Sequence, residues 1–126
     1  MPFKSNDYGP YLPPPDNGIE LIYSDESLLV VNKPAGLLSV PGRGEDRSDC
    51  LVSRVQQEFP EALIVHRLDM ATSGMLLFAR SLAIHRLLSA LFRDRCVEKR
   101  YVAVVSGQLL LESGEVNLPI GADWAN

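Results

Sequence analysis

Apolar residues occur in short runs along this chain, and turn-forming or charged residues separate the runs. Runs rich in β-branched and aliphatic residues predict β-strands, because such side chains fit a pleated, half-buried surface. They lie at residues 21–23, 28–31, 64–65, 75–79, 101–105, 108–111 and 116–118. Residues 37–40 form a further short extended piece. The pattern therefore predicts a protein rich in short strands.

Two longer segments have the 3.6-residue apolar spacing of amphipathic helices. The first covers about residues 49–59, with Ser48 as its N-cap and Pro60 as its stop. The second covers about residues 82–93, with Ser81 as its N-cap. Their apolar faces consist of Leu51, Val52, Val55 and Phe59 in the first helix and Ile84, Leu87, Leu88 and Leu91 in the second.

The order of these elements predicts a mixed α+β fold on a largely antiparallel sheet, because the helices do not alternate regularly with the strands. A chain of 126 residues with 46% hydrophobic composition suits one domain. Residues 1–18 contain five prolines and cannot sustain a helix or a central strand, so we expect an extended leader there. The domain then covers residues 19–126.

Charge changes this picture, because the net charge of −4 at first argues against a nucleic-acid partner. The basic residues are, however, concentrated. Residues 80–100 contain six Lys or Arg against Asp94 and Glu98, which is locally +4. A solvated helix face explains this as well as a phosphate-binding surface does. The polar start and the lack of a long apolar run predict a cytoplasmic protein without a membrane span.

The most unusual stretch is His66–Gly74, which places Asp69 in a polar loop between two apolar runs. Loops held by rigid strands often carry function. The simpler interpretation is that the Asp69 carboxylate caps a turn and that Thr72–Gly74 reverses the chain. The two cysteines, Cys50 and Cys96, lack metal-ligand spacing, so we expect no metal site.

His66–Gly74 reads H-R-L-D-M-A-T-S-G, and it resembles without a mismatch the signature H-R-L-D-x-x-T-S-G of the RluA-type RNA pseudouridine synthases. Asn32–Gly36 resembles the N-K-P-x-G segment of the same family, and Lys99–Ala103 resembles its K-x-Y-x-A segment. The stretch Gly36–Arg43 and the Met70-Ala71 pair are similar to members that modify both large-subunit ribosomal RNA and tRNA.

The resemblance implies that Asp69 is the catalytic aspartate, acting as nucleophile, base or both, and that Tyr101 is the active-site tyrosine. Ordinary strand packing is the alternative for Tyr101. Arg67 would contact RNA and fill the space left by the extruded nucleotide, since the target base must leave its stack. A buried salt bridge is the alternative for Arg67. His66 and Thr72 are candidates for shaping the loop or contacting RNA, and the candidates for phosphate contact are Lys99, Arg100, Arg86 and Arg93.

The family pattern continues beyond this sequence, to a basic partner for the catalytic aspartate and a G-R-x-H-Q-L-R-like segment that are not found here. We therefore expect an N-terminal portion of the catalytic domain with little activity alone, monomeric when complete and able to self-associate through exposed strand edges when not. No cofactor is expected, and structured rRNA or tRNA is the expected partner. The alternatives are a non-catalytic RNA-binding module and a carboxylate-dependent glycoside hydrolase.

Overall fold

A computed structural model describes residues 9–121 of the protein. Its regular elements follow the predicted apolar runs as far as Arg93. They are β1 (Glu20–Ser24), β2 (Leu28–Lys33), a short 3-10 turn (Glu45–Arg47), α1 (Leu51–Glu58), β3 (Leu63–Ile64), β4 (Gly74–Ala79) and α2 (Leu82–Arg93). The part of the leader at residues 9–18 contains neither helix nor strand, as predicted.

The four strands form one antiparallel sheet with the order β1-β2-β4-β3. The central pair places Leu29 opposite Phe78 and Val31 opposite Leu76, and all four side chains are fully buried. Leu51 and Val55 of α1 complete this core on one face of the sheet. The predicted α+β architecture on an antiparallel sheet is confirmed.

The two helix starts had different outcomes. Ser81 caps α2 as predicted, because its Oγ accepts a hydrogen bond of 3.2 Å from the Ile84 N–H. Ser48 does not cap α1. It ends the 3-10 turn, and Cys50 is the N-cap, with its N–H donating to the Ser53 Oγ at 3.1 Å.

The prediction of strands at residues 101–105, 108–111 and 116–118 was wrong for the described chain. None of these residues pairs with a described strand, and their apolar side chains are exposed, with Val102 at 96%. High β-propensity yields a strand only where a neighbouring edge accepts the ladder, and no described edge does so here.

Helix α2 is less covered than its apolar spacing predicted. Leu88 is buried, Ile84 is half-buried, and Leu87 and Leu91 are exposed. The helix lies against β3 and β4, and its end brings Phe92 beside the loop that follows β3. Within residues 9–121, no helix is long and apolar enough to cross a membrane.

Candidate active site

Asp69 lies at the exposed tip of the loop between β3 and β4. A backbone hydrogen bond of 3.0 Å from the Thr72 N–H to the Asp69 carbonyl oxygen closes the turn there. The Asp69 carboxylate has no hydrogen-bond or ion-pair partner among the described residues. The turn is therefore closed by the backbone, and the capping interpretation of this side chain was wrong.

The residue after Asp69 is held by the N-K-P-x-G segment. The Met70 carbonyl oxygen accepts a hydrogen bond of 2.7 Å from the Gly36 N–H and one of 3.1 Å from the Lys33 Nζ. Gly36 has a φ of +90°, a backbone conformation that side-chain-bearing residues rarely adopt. The turn that carries Gly36 therefore joins the two sequence motifs directly in space.

Lys33 ends β2 on the inward face and is completely buried. Its ammonium also donates to the carbonyl oxygens of Pro34 at 3.0 Å and Leu37 at 2.6 Å, so all three donors are used. Burial lowers the pKa of Lys33, and the negative charge of Asp69 opposes that shift. Lys33 thus supplies positive charge within electrostatic reach of Asp69.

Sequence reasoning missed this role of Lys33. A signal was present, because Leu29, Val31 and Lys33 alternate on one face of the strand. A lysine at an inward strand position needs partners for its charge. The expectation of a basic partner for Asp69 beyond this sequence remains a prediction, and Lys33 is an additional positive charge within electrostatic reach of Asp69.

The residue before Asp69 is held as well. The Ser39 hydroxyl donates to the Leu68 carbonyl oxygen at 2.6 Å and accepts from the Leu68 N–H at 3.0 Å. Ser39 is only 4% exposed, so water competes little for these bonds. Both sequence neighbours of Asp69 are therefore fixed, while its carboxylate remains free.

His66 lies where the chain that follows β3 stops running alongside β4. The Val65 N–H donates to the Leu77 carbonyl oxygen at 3.4 Å, but the Leu77 N–H donates to the ring Nε2 of His66 at 3.1 Å. The ring also stacks on Phe92, with centroids 4.4 Å apart. Burial, with a smaller effect from the charge of Lys99, lowers the pKa of His66. His66 therefore lies inside the fold and ties the loop to β4 and α2.

Two cavities flank the loop, and Ala71 lines both. The leader cavity, about 640 Å³, is lined by residues 9–12, Gly36, Leu38, Arg47 and residues 69–71. The tyrosine cavity, about 510 Å³, is lined by His66, Leu68, residues 71–75, Leu77, Phe92 and residues 97–102. Asp69 lines the leader cavity and Tyr101 the tyrosine cavity, so the described structure does not bring the two side chains into one cavity.

The remaining RNA-contacting candidates divide into two groups. Thr72, Lys99 and Arg100 line the tyrosine cavity, where the Lys99 ammonium also lies 5.3 Å from the Phe92 ring centroid. Arg67, Arg86 and Arg93 are exposed outside both cavities, and Arg93 forms an ion pair with Asp94 at 3.2 Å. Arg67 has no carboxylate partner in the described chain, so the alternative of a buried salt bridge was wrong.

The donor chemistry around Asp69 includes neither a second carboxylate nor a metal cluster. Among the described residues, Asp69 is the only acidic one that lines the leader cavity. No group of three or more His, Cys, Asp or Glu side chains suited to a metal occurs within residues 9–121. A hydrolase with paired carboxylates therefore gains no support from this geometry.

Comparison with known proteins agrees with the motifs. Residues 27–125 match the family described as RNA pseudouridylate synthase. This range includes the loop of Asp69 and the turn of Gly36 that holds it. The chain belongs to this family.

Individual relatives share a more specific name. The chain is 46% identical over 116 residues to the dual-specificity RNA pseudouridine synthase RluA of Vibrio vulnificus, covering 92% of this chain and 46% of the relative. It is 47% identical to RluA of Escherichia coli K12, again over 92% of this chain and over 53% of the relative. The chain thus spans about half the length of the curated relatives it matches.

Two solved human structures have a similar fold. Human RNA Pseudouridylate Synthase Domain Containing 4 matches with a TM-score of 0.51 at 26% identity, over 61% of this chain and 30% of that one. Human RNA Pseudouridylate Synthase Domain Containing 1 matches with a TM-score of 0.51 at 27% identity, over 67% of this chain and 31% of that one.

Proposed function

We propose that this chain provides the catalytic aspartate of an RNA pseudouridine synthase that isomerises uridine in structured rRNA or tRNA. The observation that carries the proposal is the position of Asp69. Its carboxylate is exposed and unpaired in the described structure, while Leu68 and Met70 on either side are fixed by Ser39, Gly36 and Lys33. A group held in place without a structural partner is available for chemistry.

The reaction requires the bond between C1′ and N1 of uridine to break and a bond between C1′ and C5 to form. The C5 proton leaves and N1 gains a proton, so no redox partner is needed. A carboxylate can attack the anomeric carbon or stabilise positive charge there, and it can also accept a proton. Asp69 is proposed as nucleophile, base or both.

Tyr101 is proposed as the residue that lies against the target base, and the tyrosine cavity is proposed as the place where this base is held. His66 and Thr72 border that cavity, and Lys99 and Arg100 bring positive charge to it. These features suit an aromatic base joined to a phosphate backbone. Arg67 is proposed to enter the space that the extruded nucleotide leaves, and Arg86 and Arg93 to contact phosphates.

The separation of Asp69 and Tyr101 into two cavities favours a second candidate. A non-catalytic RNA-binding module derived from the same family would keep the basic tyrosine cavity and would not need the two side chains together. The expectation that the 126-residue chain alone has little activity remains a prediction, as do its cytoplasmic location and a monomeric state of the complete enzyme.

The test uses a completed protein, in which this chain is joined to the C-terminal part of the Escherichia coli RluA that it does not span. The unsubstituted form and its Asp69→Asn variant are incubated with a uridine-containing stem-loop, and pseudouridine is quantified by mass spectrometry of the digested RNA. We expect the unsubstituted form to convert uridine. The rate of Asp69→Asn should be at least 1,000-fold lower, which corresponds to about 4 kcal/mol in activation free energy.

The outcomes separate the candidates. Equal pseudouridine yields from the two forms would refute the catalytic role of Asp69. RNA that binds tightly to the completed protein and stays unmodified would favour the binding module. Glu58→Gln is the matched control, because it makes the same change of carboxylate to amide on an exposed residue that lines neither cavity.

A further inference from the structure

The leader is fixed to the domain at two points. The Tyr11 hydroxyl donates to the Asp49 carbonyl oxygen at 2.9 Å and accepts from the Leu38 N–H at 3.0 Å. Arg54, only 5% exposed, donates to the carbonyl oxygens of Pro14 and Pro15 while the Asp49 carboxylate binds the same guanidinium at 2.8 Å. Hydrogen bonds therefore hold the proline-rich segment against the domain.

The hydrogen bonds of Tyr11 connect the leader to the Asp69 loop through two adjacent residues, Leu38 and Ser39. Leu38, which donates to Tyr11, precedes Ser39, whose hydroxyl holds Leu68 next to Asp69. The leader consequently forms one wall of the leader cavity, and Asp69 with Met70 forms another. At about 640 Å³ the cavity has the size of a small-ligand site.

Arg47 is the one arginine among the described residues that line the cavity. Gly42 leaves the room for this side chain, because a Cβ on Gly42 would lie 2.9 Å from the Arg47 Cβ and 3.0 Å from its Cδ. Arg47 has no carboxylate partner within residues 9–121. An exposed arginine without a carboxylate partner is suited to bind a phosphate group.

Apart from Arg47 and Asp69, the described lining residues are apolar or aromatic. They include Tyr11 and Leu12, and Leu12 is 80% exposed. Flat bases and the sugar edge of a nucleotide pack on such surfaces. The leader cavity thus combines one phosphate-binding group with an apolar surface, next to the carboxylate of Asp69.

We infer that the leader cavity is a subsite for the nucleotide that adjoins the reacting uridine, with Arg47 on its phosphate and Tyr11 and Leu12 against its base and sugar. The inference rests on the proposed function, which places the target base in the tyrosine cavity. Because Ala71 lines both cavities, consecutive nucleotides of one strand can occupy them. The proline-rich leader is then a substrate-binding element.

The first test compares two arginines of the same loop. Arg47 lines the cavity, whereas Arg43, also exposed, does not. Binding of a fluorescent uridine-containing stem-loop to the completed protein is measured by anisotropy at several salt concentrations. We expect Arg47→Gln to raise Kd roughly 5- to 10-fold and to reduce the salt slope by about 1, as loss of one phosphate contact does. Arg43→Gln should change Kd less than about twofold.

The second test locates the nucleotide directly. The stem-loop carries 4-thiouridine immediately before or after the target uridine, and the crosslinked peptide is identified by mass spectrometry. We expect one of these positions to crosslink to residues 9–12, and we expect Leu12→Ala to reduce that yield. Circular dichroism of each variant verifies that the fold is retained.

The outcomes distinguish this inference from the proposed function. If the completed protein neither binds the RNA nor forms pseudouridine, the proposed function and the subsite fail together. If the RNA binds and the completed protein forms pseudouridine, but Arg47→Gln and Arg43→Gln have equal Kd values or crosslinks reach only residues of the tyrosine cavity, the subsite alone is refuted.

Discussion

The Lys33 ammonium donates a hydrogen bond of 3.1 Å to the carbonyl oxygen of Met70, the residue that follows Asp69. The two residues are 37 positions apart in sequence. This bond places a buried positive charge under the exposed loop and joins the end of β2 to the tip that carries the carboxylate. The position of Asp69 thus depends on the central strand of the sheet.

Replacement of Lys33 by methionine should destabilise the protein. Methionine keeps most of the volume but leaves the carbonyl oxygens of Pro34, Leu37 and Met70 without their donor. Loss of these charge-assisted bonds in a buried place should lower the free energy of unfolding by about 3 kcal/mol. Urea denaturation measures this change, with the exposed Lys99→Met as the matched control. Equal midpoints for the two variants would contradict the role of Lys33.

The stability of the fold should depend on the protonation of His66. Its pKa is lowered, chiefly by burial and then by the charge of Lys99. Between the folded and unfolded pKa values, the unfolded chain therefore binds a proton at His66 that the folded chain does not bind. The contribution of His66 is therefore complete above the unfolded value of about 6.5. It is lost as the pH falls from there through the lowered folded value.

The measurement uses the fact that the chain has two histidines. Urea denaturation is measured between pH 5 and 7.5, a range that brackets the reference histidine pKa of about 6.5. The unsubstituted chain, His66→Gln and His85→Gln are compared. Glutamine accepts a hydrogen bond without titrating, so His66→Gln should flatten the acid side of the stability profile. His85, whose Nε2 lies 2.9 Å from the Ile64 carbonyl oxygen, provides the control. A profile left unchanged by His66→Gln would refute the prediction.

Ser39→Ala should loosen the loop without unfolding the protein. The substitution removes the hydroxyl that bonds both the N–H and the carbonyl of Leu68, at a cost of about 1–3 kcal/mol. Amide hydrogen exchange, read residue by residue by NMR, should show faster exchange of the Leu68 amide. The Leu77 amide, bonded to His66, should stay protected. Ser106→Ala, at an exposed position, is the control, and unchanged Leu68 exchange would contradict the prediction.

Gly74→Ala should be costly although space is available. A Cβ there would meet the Leu68 Cδ1 at 3.7 Å, an ordinary contact, but Gly74 has a φ of +140°. An alanine in this conformation should reduce the free energy of unfolding by about 1–3 kcal/mol. Gly114→Ala, at an exposed position with no atom within 4 Å of the added Cβ, should have little effect. Equal thermal midpoints for the two variants would show that backbone strain is absent at Gly74.

Apolar runs predicted the sheet strands, and the 3.6-residue apolar spacing predicted both helices. Val31, Leu76 and Leu88 are buried as such patterns require, whereas β1 is exposed at all five of its positions. The segment 101–105 was mispredicted, because strand propensity does not specify a pairing edge. Ser48 was mispredicted as a cap, because the 3-10 turn before α1 has no clear sequence signal.

The site was predictable only in part. The loop around Asp69 was identified from its motif, and the structure places the Gly36 turn on it. The bonds of Lys33 and Ser39 to the loop connect residues 29 or more positions apart, and sequence spacing does not encode such contacts. The placement of Tyr101 in a separate cavity also depends on the path of the chain after α2.

The pairing of β2 with β4 has a consequence for synthesis. Residues 34–73 lie between these two central strands, so closing the sheet requires a long loop to be ordered. While the chain is being made, β1 and β2 can form only a hairpin, which is marginal alone in water. The sheet can close only after residue 79 has emerged, when the Asp69 loop is already present. Formation of the core therefore fixes the Asp69 loop at the same time, before Tyr101 has emerged.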